Sequence, residues 1–181
     1  MAVTPRNYWM IAVSPGYFGM LEEGGFGVVG LSRTHKKRAQ RMERGDRILV
    51  FIARDLVFAA ALTVAGACYE EDTPLFPPEP RGETYPWRVP VKADAALGLQ
   101  ERLDARLLAP RMEYVRKWTA ERWPLAFQGL LHLVPKADFL MLEAEMRRAK
   151  RGHKPERSAP RPSAADEAFA CELDRMAAGA A

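Results

Sequence analysis

The chain has 181 residues, close to one ordinary domain, and its 48% hydrophobic and 28% charged residues suit a single globular core. No apolar run reaches the roughly 18 residues of a membrane span, and the first residues lack the basic-then-apolar pattern of a secretory signal. The net charge is only +4, but it is unevenly spread: Arg33 to Arg47 carries seven Lys or Arg against two acids, and Arg147 to Pro162 seven against one. A basic strip on an otherwise acidic body suits a polyanion, because each neutralised phosphate releases a condensed counterion. A solvated helix face followed by a disordered tail gives the same charge pattern.

In chain order, the aromatic and branched residues of Tyr8 to Val13 predict a buried first strand, closed by a turn at Ser14 to Gly16. Gly24, Gly25 and Gly27 surround Phe26, and glycines there permit positive φ or a close approach to a ligand. The stretch from His35 to Arg44 lacks breakers and predicts a helix, capped by Ser32 or Thr34, with Lys37, Arg41 and Arg44 on one face. A turn at Gly45 and Asp46 leads into a strand over Arg47 to Ile52. A tight turn at Arg54 and Asp55 favours an antiparallel partner within Leu56 to Cys68. After a proline-rich loop, Tyr85 to Val91 reads as an edge or barrel strand, because proline cannot donate to a central ladder.

Beyond it, Leu99 to Leu108 and Glu113 to Trp123 carry helical periodicity, and Trp118 and Trp123 fall at packing positions. Leu130 to Val134 is a short strand. Pro135 to Asp138 starts a helix whose apolar face is Phe139, Leu142 and Met146. This order predicts an α+β fold: a small mixed sheet curled into a partial barrel and flanked by helices. Residues 1–149 form the domain, 150–163 a basic, proline-rich, disordered linker, and 164–181 a tail. Within that tail, Phe169, Leu173 and Met176 share one side of a short helix. Cys68 and Cys171 stand far apart, which suits a reducing cytoplasm and provides neither a disulfide framework nor a zinc site.

Tyr8 to Ile11, the glycine-flanked Phe26, the basic helix running into Gly45 to Ile48, and Tyr85 to Val89 together resemble an EVE domain. Such domains have a PUA-like fold related to the YTH readers of methylated adenine. Phe127 to Gly129 and Pro135 to Phe139 resemble the family's closing strand and helix, so the likeness runs from about Asn7 to Met146. It implies a curved barrel whose pocket recognises a modified base in DNA or RNA, and the sequence itself offers no cofactor motif and no metal-ligand spacing. By match to that pocket, Phe26 and Phe76 are cage walls, with Trp9 and Tyr85 nearby. Ser14, Arg33 and Gln128 are candidates for the polar edge of the base, and the Gly27 amide is a candidate donor. Where this chain has Phe26 the family often has Trp. Lys36, Lys37, Arg38 and Arg41 are the candidate phosphate contacts.

Each residue also has a plainer role. Trp9, Phe51 and Phe58 fit a strand core, Phe76 can pin its loop, and Arg88 can pair with Glu83 or another acid at the surface. His35, His132 and His153 lack metal-ligand spacing, and His132 reads as a satisfied core histidine. Cys68 reads as an inert buried thiol. An enzymatic alternative comes from the PUA-like ASCH domains, with Lys36 or Lys37 and an acid such as Glu83 in the cleft. A further alternative is an interaction module that docks a protein through its C-terminal tail.

Overall fold

The computed structural model describes residues 5–75 and 84–152. Along the chain, strand β1 (Tyr8–Val13) is followed by helix α1 (Pro15–Glu23), β2 (Val28–Leu31), a 3-10 turn (Arg33–His35) and the short α2 (Lys36–Ala39). The hairpin β3 (Arg47–Ile52) and β4 (Val57–Val64) comes next, then β5 (Tyr69–Glu70), the long β6 (Trp87–Ala96), β7 (Leu103–Asp104) and α3 (Ala105–Leu108). Two 3-10 turns (Ala109–Arg111 and Trp123–Phe127) lead to β8 (Leu131–Leu133) and the final helix α4 (Lys136–Lys150). The sheet runs β2-β6-β4-β3-β1-β8, with β5 added to β6 and β7 to β4. Among the described residues, only β1 and β3 pair in parallel. This is the expected mixed, curled sheet.

The central strands are buried on both faces, which explains their continuous apolar runs. Alternation along them makes two cores. Met10, Leu49, Phe51 and Phe58 join Phe127, Phe139, Leu142 and Met146 on one side. Trp9, Ile11, Val50 and Ile52 join Tyr17, Phe18, Phe26, Val29 and Trp87 on the other. Phe139, Leu142 and Met146 are fully buried. The face predicted for α4 therefore anchors that helix, each side chain contributing about 1.5–3 kcal/mol by transfer from water.

Several sequence expectations are corrected. Ser14 to Gly16 is no simple turn: Ser14 caps α1, its Oγ accepting the Tyr17 amide at 3.1 Å, and Pro15 fills the first helical position. The basic helix ends at Ala39, where the backbone tightens into successive i→i+3 bonds up to Met42. Strand β6 lies inside the curled sheet, which is the barrel reading of this segment and not the edge one. Residues 87–90 pair with β2 and residues 91–96 with β4, so Pro90 sits at the handover between neighbours. There its missing N–H is tolerated, while its carbonyl accepts from Ala65 at 2.8 Å.

The periodic segments around Leu99 and Glu113 do not form long helices. Leu103 and Asp104 add a strand to β4 instead. The 113–123 stretch is a series of turns, tied down where the buried Asp138 carboxylate accepts the amides of Glu113 and Tyr114 at 2.9 and 2.7 Å. Trp118, expected to pack, is 41% exposed, whereas Trp123 stands edge-on to Phe127 at 5.7 Å.

Candidate nucleic-acid interface

The basic segment and the edge strand β8 enclose a groove of about 300 Å³, lined by Asn7, Trp9, Arg38, Arg41, Tyr114, Leu131, His132 and Leu133. The chain builds it from four places. Buried Leu31, Ala39 and Met42 pin the segment that carries the arginines. Arg38 then reaches across and donates to the Leu131 carbonyl at 2.8 Å, satisfying an outward-facing acceptor on the sheet edge. Trp9 is 6% exposed, and its indole Nε1 donates to Asp46 at 3.0 Å. Asp46 is itself buried and also accepts the amides of Arg6, Asn7 and Glu43 and the Asn7 side chain. One carboxylate thus joins the start of β1, the turn after α2 and the start of β3. Asp138 does the same for Tyr114, holding the backbone that aims its ring at the groove.

Tyr114 and His132 are coupled. His132 Nε2 lies 2.7 Å from the Gly129 carbonyl, which can only accept, so that nitrogen carries the proton. Nδ1 then accepts from the Tyr114 hydroxyl at 2.9 Å. Burial, with nearby Arg38, holds the His132 pKa below the usual imidazole value, which favours the neutral ring in this network. Burial is also the chief cause that lowers His35, helped by Arg38 and His132. The His35 Nδ1 meets Ser32 Oγ at 2.6 Å and Thr34 Oγ1 at 3.1 Å. Burial raises the Tyr114 hydroxyl, keeping it protonated as a donor. Two neutral imidazoles and a cluster of guanidinium groups therefore face one edge of the molecule.

Of the residues expected from sequence, Trp9, Arg38 and Arg41 come together in this groove, and Lys37 is exposed on α2. Lys36 instead places its ammonium 4.8 Å from the centroid of the Trp87 ring, a cation–π contact. Phe26 is corrected. Its backbone is left-handed at φ 54°, after Gly25 at φ 61°, and this turns the ring inward onto Phe18 with centroids 5.9 Å apart. At 8% exposure it packs the core and forms no cage wall. What the glycine loop offers to solvent is backbone: Gly24 and Gly27 line a separate hollow with Met20, Val28 and Leu75.

The Gly27 amide is already directed at the Gly24 carbonyl at 3.3 Å, and Ser14 is occupied as a cap. Arg33 makes an exposed pair with Asp72 at 3.2 Å. Tyr85 is buried edge-on against Tyr17, centroids 5.1 Å apart, whose hydroxyl donates to the Gly30 carbonyl at 2.6 Å and accepts from its amide at 2.8 Å. Gly30 must be glycine here, since a Cβ would stand 2.7 Å from the Tyr85 Cβ. Gln128 is half-buried at the end of the 3-10 turn before β8.

Phe76 and Glu83, and the linker and tail beyond Gly152, lie outside the described residues. Arg88 is buried, not at the surface, and pairs with Glu71 and the Thr73 carbonyl. Cys68 is half-buried, its thiol pKa pushed up by burial and by Glu70. Sequence reasoning missed Asn7, Tyr114, Asp46 and Asp138 as builders of the groove. Each acts through a partner at least 24 residues away, which no local pattern records.

No family model matches the chain. It is 20% identical over 147 residues to a UPF0310 protein of Pyrococcus abyssi, covering 76% of this chain and 98% of that one. Among solved structures it is similar to Atu2648 from Agrobacterium tumefaciens, with a TM-score of 0.52 and 13% identity over 85% of this chain and 99% of that one. It is similar also to the YTH domain of Zygosaccharomyces rouxii MRB1 in complex with N6-methyladenosine RNA, with a TM-score of 0.55 and 12% identity over 81% and 92% of the two chains. The YTH domain protein Mmi1 in complex with RNA gives a TM-score of 0.57 at 10% identity, over 84% and 94%. The chain shares its fold with Atu2648 and with these YTH domains, an α+β fold of the kind its sequence predicts.

Proposed function

We propose that the chain is a non-catalytic module that binds RNA or DNA and holds one unpaired, modified base. The observation that carries this reading is the groove itself. Two aromatic residues, Trp9 and Tyr114, the Asn7 amide, and the guanidinium groups of Arg38 and Arg41 meet in a space of about 300 Å³. That is the lower end of the volume used by small-ligand pockets. Flipping a base out of a stack costs a few kcal/mol, and stacking on an aromatic ring returns roughly 1–3 kcal/mol. Phosphate contacts from the basic segment supply much of the remainder. A methyl mark adds only about 0.8 kcal/mol by burial, so discrimination also requires polar groups left unpaired by the wrong base.

The fold similarity to YTH domains, two of which are solved with RNA, supports this reading. The test is fluorescence anisotropy with short single-stranded RNA and DNA, each unmodified, N6-methylated at adenine or 5-methylated at cytosine. Binding that weakens in Tyr114→Ala and differs between marked and unmarked strands is the expected result. Absence of binding to every strand at low salt overturns the proposal. Equal binding of all strands leaves a nucleic-acid module without base reading.

A further inference from the structure

On the side of the molecule held by α4, a third cavity of about 770 Å³ is lined by Arg106, Arg111, Arg116, Trp118 and Trp123, with Met112 and Val115 at its apolar floor. Trp118 is 41% exposed, a large ring that the described body does not cover. We propose that this cavity receives residues 164–176 of the same chain as a docked amphipathic helix.

The chemistry of the two surfaces matches. Residues 164–176 carry Asp166, Glu167, Glu172 and Asp174 against Arg175, whereas the cavity presents three arginines against Glu113. Phe169, Leu173 and Met176 recur at the i, i+4, i+7 spacing by which an amphipathic helix fills an aromatic groove. The chain also leaves the body beside the cavity. Arg111 pairs with Glu145 at 3.1 Å, and Glu145 lies on α4 only five residues before the helix ends at Lys150. The intervening residues 153–163 span up to about 36 Å when extended, at roughly 3.3 Å per residue. This is ample to reach the rim. Arg111 keeps 54% of its side chain exposed despite that pair, leaving its guanidinium open to a second carboxylate. The inference is independent of the base-binding groove, which lies along β8 and the basic segment.

The test uses the full chain labelled with 5-fluorotryptophan, whose four tryptophans give four fluorine signals, Trp118 being assigned with Trp118→Phe. The probe is the change of the Trp118 signal between light and heavy water, a measure of solvent contact. A Phe169→Asp, Leu173→Asp variant alters the proposed occupant and no residue that lines the cavity. This variant is expected to raise the Trp118 solvent effect by about twofold or more as the docked state is depopulated. A synthetic peptide of residues 162–178 is expected to reverse the rise, and Arg116→Glu to weaken that reversal. An unchanged Trp118 signal in the double variant overturns the proposal, as does a peptide without effect at about 1 mM. A single-stranded oligonucleotide that shifts Trp118 while the tail substitutions do not also overturns it, giving the cavity to nucleic acid.

Discussion

The indole of Trp9 donates to the buried carboxylate of Asp46 at 3.0 Å, joining the first strand to the turn that opens the third. Asp46 accepts from four further donors, the amides of Arg6, Asn7 and Glu43 and the Asn7 side chain. Removing it strands several donors at once. Asp46→Ala is expected to lower unfolding stability by about 3 kcal/mol or more in urea titration, since each unsatisfied buried donor costs roughly 1–3 kcal/mol. Asp46→Asn recovers only part of this, because an amide offers one acceptor oxygen in place of two. A loss below about 1 kcal/mol in the alanine variant means water serves those donors equally well.

Phe26 separates a core role from a reading role. Its ring is buried against Phe18. Phe26→Ala is therefore expected to cost about 3–5 kcal/mol of stability. Once the variant is held folded below its melting temperature, it should weaken marked and unmarked oligonucleotides equally. Unequal loss restores Phe26 to the base pocket.

Arg38 and Arg41 stand on the rim of the groove. Arg41→Ala is expected to reduce affinity for all sequences alike and to lower the slope of log affinity against log salt by nearly one. Arg38→Ala should do the same and also free the Leu131 carbonyl that Arg38 now caps. Anisotropy titrations at several salt concentrations decide this, and unchanged slopes place the phosphates elsewhere.

His35 and His132 both have pKa values held below 6.5, chiefly by burial. The unfolded chain therefore takes up protons on these rings at a higher pH than the folded chain does. Stability is fully present above about pH 6.5 and is lost as pH falls through that value. Thermal melts between pH 8 and pH 5 are expected to show the melting temperature falling on the acid side, with a shallower fall in His132→Asn. An anion bound in the groove reverses the sign for binding: it favours the charged ring of His132, which lines the groove, so oligonucleotide affinity should rise as pH drops toward 6. An affinity independent of pH removes His132 from the interface.

Tyr114→Phe keeps the ring and removes the hydroxyl that donates to His132. The variant is expected to lose about 1 kcal/mol of stability, while stacking in the groove persists. Comparing it with Tyr114→Ala by anisotropy separates the ring from the hydroxyl. Equal losses in both assign the effect to the hydrogen bond.

The central strands were legible in the sequence because their signal is local. Tyr8 to Val13, Arg47 to Ile52 and the turn at Arg54 carry their pairing in their own residues, and so does the face of Phe139, Leu142 and Met146. The order of these elements was enough to imply the curled mixed sheet. Helical periodicity misled in residues 113–123, which run as a series of turns, the amides of Glu113 and Tyr114 held by the Asp138 carboxylate 25 and 24 residues away. The direction of Phe26 was equally hidden. A ring between glycines reads as displayed, yet two successive left-handed residues turned it inward. The groove was decided only in three dimensions, since Asn7, Arg38, Tyr114 and His132 meet through strand pairing and two buried carboxylates that join distant segments. Periodicity and turn chemistry act over a few residues and are written in the chain. Side-chain direction at a site depends on which remote partner a buried charge selects, and packing alone fixes that choice.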